Sequence, residues 1–206
     1  MKTVLITGAA KGIGAAIADA FAAAGYDVTI TYLNTKPQGK YKAYHVDGRN
    51  SAAVEKLAEE IPCPDVLINN AGISQIKQIQ DITDSDWRNM IDSNLSSAFY
   101  FMRAFAPKMI SRRSGLIINV SSIWGEEAAS CESHYAASKA GLIALSKSLD
   151  AELSPSGVRV KYIAPSAVET DMIKHYTKED REIIEKELGK IKTPAEVANE
   201  VLRLAE

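Results

Sequence analysis

The apolar positions along the chain change their period from segment to segment. Thr3 to Thr7 is a short apolar run that stops at Gly8. From Gly14 to Ala24 the spacing of Ile13, Ile17, Ala20 and Phe21 is helical, and Gly25 punctuates its end. Val28 to Leu33 is β-branched and predicts a strand, and Tyr41 to Val46 a weaker one. Ser51 to Ile61 predicts a helix with Ser51 as its N-cap. Val66 to Asn69 is a strand bounded by Pro64 and Gly72. Thr83 to about Ile110 reads as one long helix, capped by Thr83 or Ser85, with Pro107 a place to bend. Leu116 to Val120 is a fully apolar strand, Ser133 to Leu153 a helix ended by Pro155 and Gly157, and Val158 to Ala164 a strand stopped by Pro165. Thr193-Pro194-Ala195-Glu196 starts a last helix, with Thr193 at N-cap and Pro194 at N1.

Strands that alternate with helices imply right-handed βαβ units and a parallel sheet. Wholly apolar strands such as LIINV suit a sheet covered on both faces. The expected fold is therefore α/β, a Rossmann-type doubly wound parallel sheet of six strands in the order 3-2-1-4-5-6, in three α/β/α layers. Its 206 residues suit one domain, 1–206. Residues 171–206 hold 16 of the 50 charged residues, so a solvated helix or flap is expected there, with a substrate flap at about 167–192.

Composition narrows the function classes. A chain with 46% hydrophobic and 24% charged residues is ordinary globular material. A net charge of −2 leaves neither a nucleic-acid footprint nor a polybasic membrane patch. Two cysteines make no disulfide framework and suit a reducing, cytoplasmic setting. The N-terminal apolar run is too short for a signal peptide or a membrane span.

Two stretches carry chemistry. Gly8, Gly12 and Gly14, with Lys11 and Ile13 between them, follow a strand and open a helix. Glycines there let the backbone approach a pyrophosphate, and the helix N-terminus presents free N–H groups to it. The spacing is G-x-x-x-G-x-G, and no G-K-[ST] follows as a P-loop requires. The second strand ends at Tyr32 and Asn34 with no Asp or Glu over 31–36. That leaves room for a 2′-phosphate and favours NADP over NAD, with Lys11 either an added cation or an ordinary surface lysine.

At the other stretch, Tyr135 and Lys139 are i and i+4 on one helix face. A phenol titrating near pH 10 needs about 4 kcal/mol to reach neutrality, a plausible load for one or two close cations. Ser122, just past a strand, would hydrogen-bond a substrate carbonyl, and Asn94 is a polar residue among Leu95, Ala98 and Phe99. His134 invites a hydrolase reading, but no G-x-S-x-G elbow exists. His45, His134 and His175 are too scattered for a metal site. Cys131 reads as a plain thiol or a group facing substrate. Arg112 and Arg113 read as surface cations or a contact for an acidic carrier protein.

TGAAKGIG, Asn69-Asn70-Ala71-Gly72, Asn94, Ser122 and Tyr135-x3-Lys139 stand in the order found in short-chain dehydrogenases/reductases. The chain resembles that family over about residues 2–205. It looks most like the 3-oxoacyl-carrier-protein reductases, through YAASKAGLIALSKSL and VRVKYIAP. The resemblance implies Tyr135 as general acid, and Lys139 binding the nicotinamide ribose and lowering the tyrosine pKa. It implies Ser122 polarising the carbonyl and Asn94 anchoring a relay water. Asp47, with Gly48, would meet the adenine, and Asn70, Ala71 and Gly72 would line the ribose. Pro165, Ser166, Val168 and Thr170 would meet the nicotinamide amide, with Ser166 standing where the family has glycine.

The implied activity is an NADPH-preferring ketone/secondary-alcohol oxidoreductase, a 3-oxoacyl-thioester reductase among the candidates. Its partners would be a small-molecule carbonyl or alcohol, with no nucleic acid, membrane or metal. The family commonly adds a final strand after TPAEVANEV. Its absence here points to a homodimer through the long helix and the Tyr135 helix rather than a tetramer. The rival readings are a non-catalytic NAD(P)-sensing protein and an epimerase or dehydratase using the same Tyr/Lys pair.

Overall fold

A computed structural model of the chain describes all residues except Gln38 and His175, and leaves the Met172 side chain aside. His175 therefore lies outside the described residues. The strands are β1 (Thr3–Ile6), β2 (Asp27–Tyr32), β3 (Lys42–His45), β4 (Val66–Asn69), β5 (Gly115–Val120) and β6 (Val158–Ile163). They form one six-stranded sheet in the order β3-β2-β1-β4-β5-β6, and every pairing is parallel. The helices are α1 (Gly12–Ala23), α2 (Ser51–Glu60), α3 (Asp84–Ile91), α4 (Ser97–Ser111), α5 (Ser133–Leu153), α6 (Lys178–Leu188) and α7 (Pro194–Ala205).

Alternation along each strand divides the core between the two faces of the sheet. Leu5, Leu67, Ile117 and Val160 meet Phe101, Met102, Phe105 and Leu142 from α4 and α5. Val4, Ile6, Ile30, Ile68 and Ile118 meet Ile17, Phe21 and Val201 from α1 and α7. Strands apolar on both faces are the reason the runs read as continuous.

Two expectations change. Asn50, not Ser51, caps α2, its Oδ1 accepting from Ala53 N at 3.2 Å. Ser51 is instead the first helical residue, and Arg103 donates to its hydroxyl and to Glu55. The long helix is not one piece: a π-helical segment, Asp92–Ser96, separates α3 from α4 and contains Asn94. Such wide turns relieve the helix of its regular i→i−4 bonding and recur at functional sites. Thr83 does cap α3, in a reciprocal box with Asp86. The helix α4 runs on through Pro107.

Arg112 serves as an internal clasp. It donates to Cys63 O, Pro64 O and Ser114 O, with Asp65 3.6 Å away. Those bonds hold the end of α4 against the start of β4, which explains Arg112 without a carrier protein. Among the described residues no helix is long and apolar enough to cross a membrane.

Candidate active site

Both chemical stretches lie beyond the C-terminal ends of the strands, where open α/β sheets bind ligands. On the glycine side, Gly8 has φ +64° and Gly12 φ +60°, conformations that glycine adopts without strain. A Cβ on Gly8 would stand 2.8 Å from Ala71 Cα, and one on Gly14 2.8 Å from Ala9 Cα and Gly8 O. The turn is thus packed too tightly for side chains at those two positions. Thr7 Oγ1 accepts from Asn70 N and Ala71 N, both at 3.0 Å, and Asn70 Nδ2 donates to Thr7 O and Gly8 O. Thr31 takes Ala9 N on its carbonyl at 3.1 Å and Gly8 N on its hydroxyl at 3.4 Å.

No side chain caps α1 at Lys11, and its first turn carries no acid. The helix N-terminus therefore keeps its donors and its positive end for an anion. These features fit a dinucleotide pyrophosphate.

Other predicted cofactor residues fall around this turn. Gly12 approaches Thr170, with 3.7 Å from its would-be Cβ to Thr170 Cγ2. Lys11 ion-pairs with Asp171 at 2.8 Å, which ties the glycine turn to the segment after Pro165. Val168 bridges to Lys192, and Pro165 O accepts from Ile123 N. Tyr32 O accepts from Val46 N, so the ends of β2 and β3 are held together, and Asn34 is exposed beside them. Asp47 is gripped by the Arg49 guanidinium, which holds its carboxyl below the ordinary range. A Cβ on Gly48 would meet Ser97 and Phe101 of α4, so the glycine allows close packing there.

On the chemical side, Tyr135 and Lys139 project from the first turns of α5, and Ser122 follows β5. Ser122 lies close enough to the Tyr135 phenol to favour its ionised form, and its hydroxyl accepts from Trp124 N at 3.2 Å. Lys139 Nζ donates to Val120 O at 2.9 Å and lies 5.8 Å from the centre of the Tyr135 ring. Burial pushes the Tyr135 phenol up to about 12; Ser122 opposes this, while Glu132 and Tyr176 add to it. Burial also pushes the Lys139 ammonium down to about 8. In the chain without nucleotide, desolvation of the phenolate dominates the Tyr135 shift.

Asn94 is buried, and its amide is fully engaged. Its Oδ1 accepts from Ile73 N at 2.8 Å, and its Nδ2 donates to Ile73 O and Ser138 Oγ. It brackets the loop after Gly72 rather than presenting a free amide. A Cβ on Gly72 would lie 3.0 Å from Asn94 Oδ1 and 3.5 Å from Lys139 Nζ, so Asn94 and Lys139 both border that glycine.

Three contributors were not singled out from the sequence. Thr7 and Thr31 tie the turn together, and the only signal for Thr7 was its place at a strand end. Glu132, a buried acid three residues before Tyr135, was hidden in a stretch that reads as loop. Cys131 is half-buried in a left-handed conformation, φ +58°, and its carbonyl accepts from Lys77 N.

Residues 2–181 match the family model described as short chain dehydrogenase. The chain belongs to that family. It is 35% identical over 214 residues to YmfI, an uncharacterised oxidoreductase of Bacillus subtilis, covering 96% of this chain and 88% of the relative. It is 34% identical over 218 residues to the 3-oxoacyl-[acyl-carrier-protein] reductase FabG of Escherichia coli, covering 99% and 89%. Among solved structures, gox2181 superposes with a TM-score of 0.93 at 27% identity over 100% of this chain and 88% of that one. The 3-oxoacyl-[acyl-carrier protein] reductase from Brucella melitensis gives 0.90 at 33% identity over 98% and 84%. The short-chain dehydrogenase is thus an NAD(P)-dependent oxidoreductase acting on CH–OH and carbonyl groups.

Proposed function

We propose that the chain interconverts a ketone and a secondary alcohol with NADPH as its preferred reductant. The observation that carries this reading is the gathering of Tyr135, Ser122 and Lys139 past the end of β5, beside a turn that accepts no side chain at Gly8 or Gly14. NADPH, when bound, supplies the hydride. The residues that would hold it are the turn Gly8–Gly14, Tyr32, Asn34, Asp47, Asn70 to Gly72, Lys139 and the segment Pro165–Thr170.

The chain's own groups handle the proton and the developing charge. The Ser122 hydroxyl donates to the substrate oxygen and steadies it as negative charge builds. Tyr135 Oη gives that oxygen its proton and is left as phenolate. The Lys139 ammonium stabilises the phenolate, and a proton from solvent water restores the phenol. In the oxidative direction each transfer reverses. Preference for NADPH is supported by the lack of a carboxylate over residues 31–36, where one would repel a 2′-phosphate.

The 3-oxoacyl thioester is the substrate that the named FabG relatives favour. Residues 167–192 act as the substrate flap. A homodimer is favoured by a groove of about 470 Å³ between α4 and α5, lined by Leu95, Phe99, Tyr100 and Leu145. Sedimentation of the chain in solution tests the dimer. A panel of ketones that includes acetoacetyl thioesters, followed by NADPH absorbance with NADH in parallel, tests the reaction. NADPH consumption with alcohol product supports it, and product formed without net change in the nucleotide overturns it in favour of an epimerase or dehydratase.

A further inference from the structure

Three hydrogen bonds join the loop after β4 to the turn that leads into Tyr135. Lys77 N donates to Cys131 O at 2.7 Å. Ser74 Oγ donates to a Glu132 carboxylate oxygen at 2.9 Å. His134 Nε2 lies 3.1 Å from Gln75 Oε1. His134 is wholly buried, one residue before Tyr135, and has no part in the reaction as written above.

The direction of the third bond follows from its neighbours. Gln75 Nε2 donates to Asp86 Oδ1 at 3.1 Å, and a carboxylate can only accept. Asp86 is kept ionised by Lys77 Nζ at 2.7 Å and by the Thr83 hydroxyl and N–H. The oxygen of Gln75 is therefore the end that faces the ring, and His134 donates to it from Nε2. His134 Nδ1 is then a bare acceptor, buried without a partner among the described residues. A second proton would have nowhere to be shared, and burial holds the imidazole below its ordinary range.

The first turn of a helix has no earlier turn to hold it. In α5 that turn carries Tyr135, and the Glu132 side chain does not cap it. Cys131, shortly before it, is in a left-handed conformation. We propose that His134 is a positioning residue for Tyr135: the chain His134–Gln75–Asp86 pins the first turn of α5 to the loop after β4 and so fixes the Tyr135 hydroxyl against Ser122. The proposal rests on Tyr135 acting as the proton donor. Small misplacements of a proton donor cost large factors in rate, so the effect belongs to kcat rather than to nucleotide binding.

The test compares His134→Leu, His134→Gln, Gln75→Leu and the His134→Leu/Gln75→Leu double variant by kcat, KM and NADPH affinity. Each Leu variant is expected to lower kcat about tenfold with NADPH affinity within about twofold, and the double variant to be no worse than the worse single one. His134→Gln, which keeps a donor near the Nε2 position, is expected to recover most of kcat. Equal kcat in the Leu and Gln variants, additive losses, or a loss confined to KM would overturn the proposal. If His134→Leu does not fold, Gln75→Leu on the half-buried loop decides it alone. Tyr135→Phe run alongside separates the two readings: activity retained there removes Tyr135 as donor, whereas a dead Tyr135→Phe with unaffected Gln75→Leu removes only the positioning role.

Discussion

In the turn between β1 and α1, backbone and side-chain polar groups find partners. Thr7 and Thr31 accept the N–H groups of Asn70, Ala71, Gly8 and Ala9, and Asn70 returns two bonds to the turn. In the first turns of α5, by contrast, a phenol, an ammonium and a carboxylate are buried together at Tyr135, Lys139 and Glu132. The nucleotide side is relaxed and defined by shape. The chemical side shifts its ionisable groups away from their ordinary pKa values, with the phenol up and the ammonium down. Recognition of a pyrophosphate needs only a rigid cradle, whereas proton transfer needs groups whose protonation can change.

The sharpest way to break this contrast is Tyr135→Phe. It removes the transferable proton and leaves the ring, so turnover is expected to fall by about 10²–10⁴-fold while NADPH binds as before. Steady-state rates together with fluorescence titration of NADPH check both halves. Weakened NADPH binding of similar size would mean that the two regions are not separable.

On the other side of the comparison, Gly8→Ala should damage shape without touching the chemistry. The substitution forces a Cβ at φ +64° to within 2.8 Å of Ala71 Cα. A left-handed alanine and the overlap together are expected to cost about 2–4 kcal/mol of stability. NADPH affinity should fall at least about tenfold, because Ala71 and Gly8 must part. Denaturant unfolding and NADPH titration of the variant measure these, and unchanged affinity would show that the turn tolerates relaxation.

The comparison also explains what the sequence made legible. The alternation of runs such as LIINV with alanine-rich helical spacing was enough for a parallel α/β sheet, because strands covered on both faces carry unbroken apolar runs. Glycines and the Tyr135-x3-Lys139 pair were visible as fixed spacings. The π-helical segment around Asn94 was not, because one extra residue in a helical turn leaves the apolar pattern nearly intact. Nor was the cap at Asn50, since Asn50 and Ser51 are both good caps and the choice lies in backbone angles. The burial around Tyr135 was not legible, because spacing locates Lys139 on the same face but says nothing about how dry that face is. Arg112 looked like a free surface cation for the same reason: its acceptors, Cys63 O and Pro64 O, are almost fifty residues earlier in the chain.

Lys139→Met tests whether the chemical side is held at a cost to stability. Its folded pKa of about 8 lies below the ordinary lysine value of 10.5, so the unfolded chain binds more protons between those values. At neutral pH the buried charge is destabilising by about 3 kcal/mol, partly offset by the bond to Val120 O. Lys139→Met is thus expected to lose turnover yet melt several degrees higher at pH 7. Its advantage should be complete below about pH 8 and fade as the pH rises to about 10.5. Melting curves at pH 7 and pH 10 decide it, and a variant that melts lower at both would mean that Lys139 stabilises the fold.

The smallest effect is expected where neither principle operates. Glu169 and Arg181 form a bidentate pair at 2.5 and 3.0 Å between the segment after Pro165 and α6, and both side chains remain substantially exposed. Arg181 draws the Glu169 carboxyl below its ordinary range, but solvent screens the pair and α6 buries none of its residues. Arg181→Gln is therefore expected to move Tm by less than about 2 °C. The same variant should raise KM for a bulky ketone more than for a small one, because the pair lies within the proposed flap and ties its first segment to α6. A salt titration of the wild-type chain should mimic it, with KM for the bulky ketone rising as ionic strength screens the pair. A fall in kcat with KM unchanged would move Arg181 from the flap to the chemical side of the comparison.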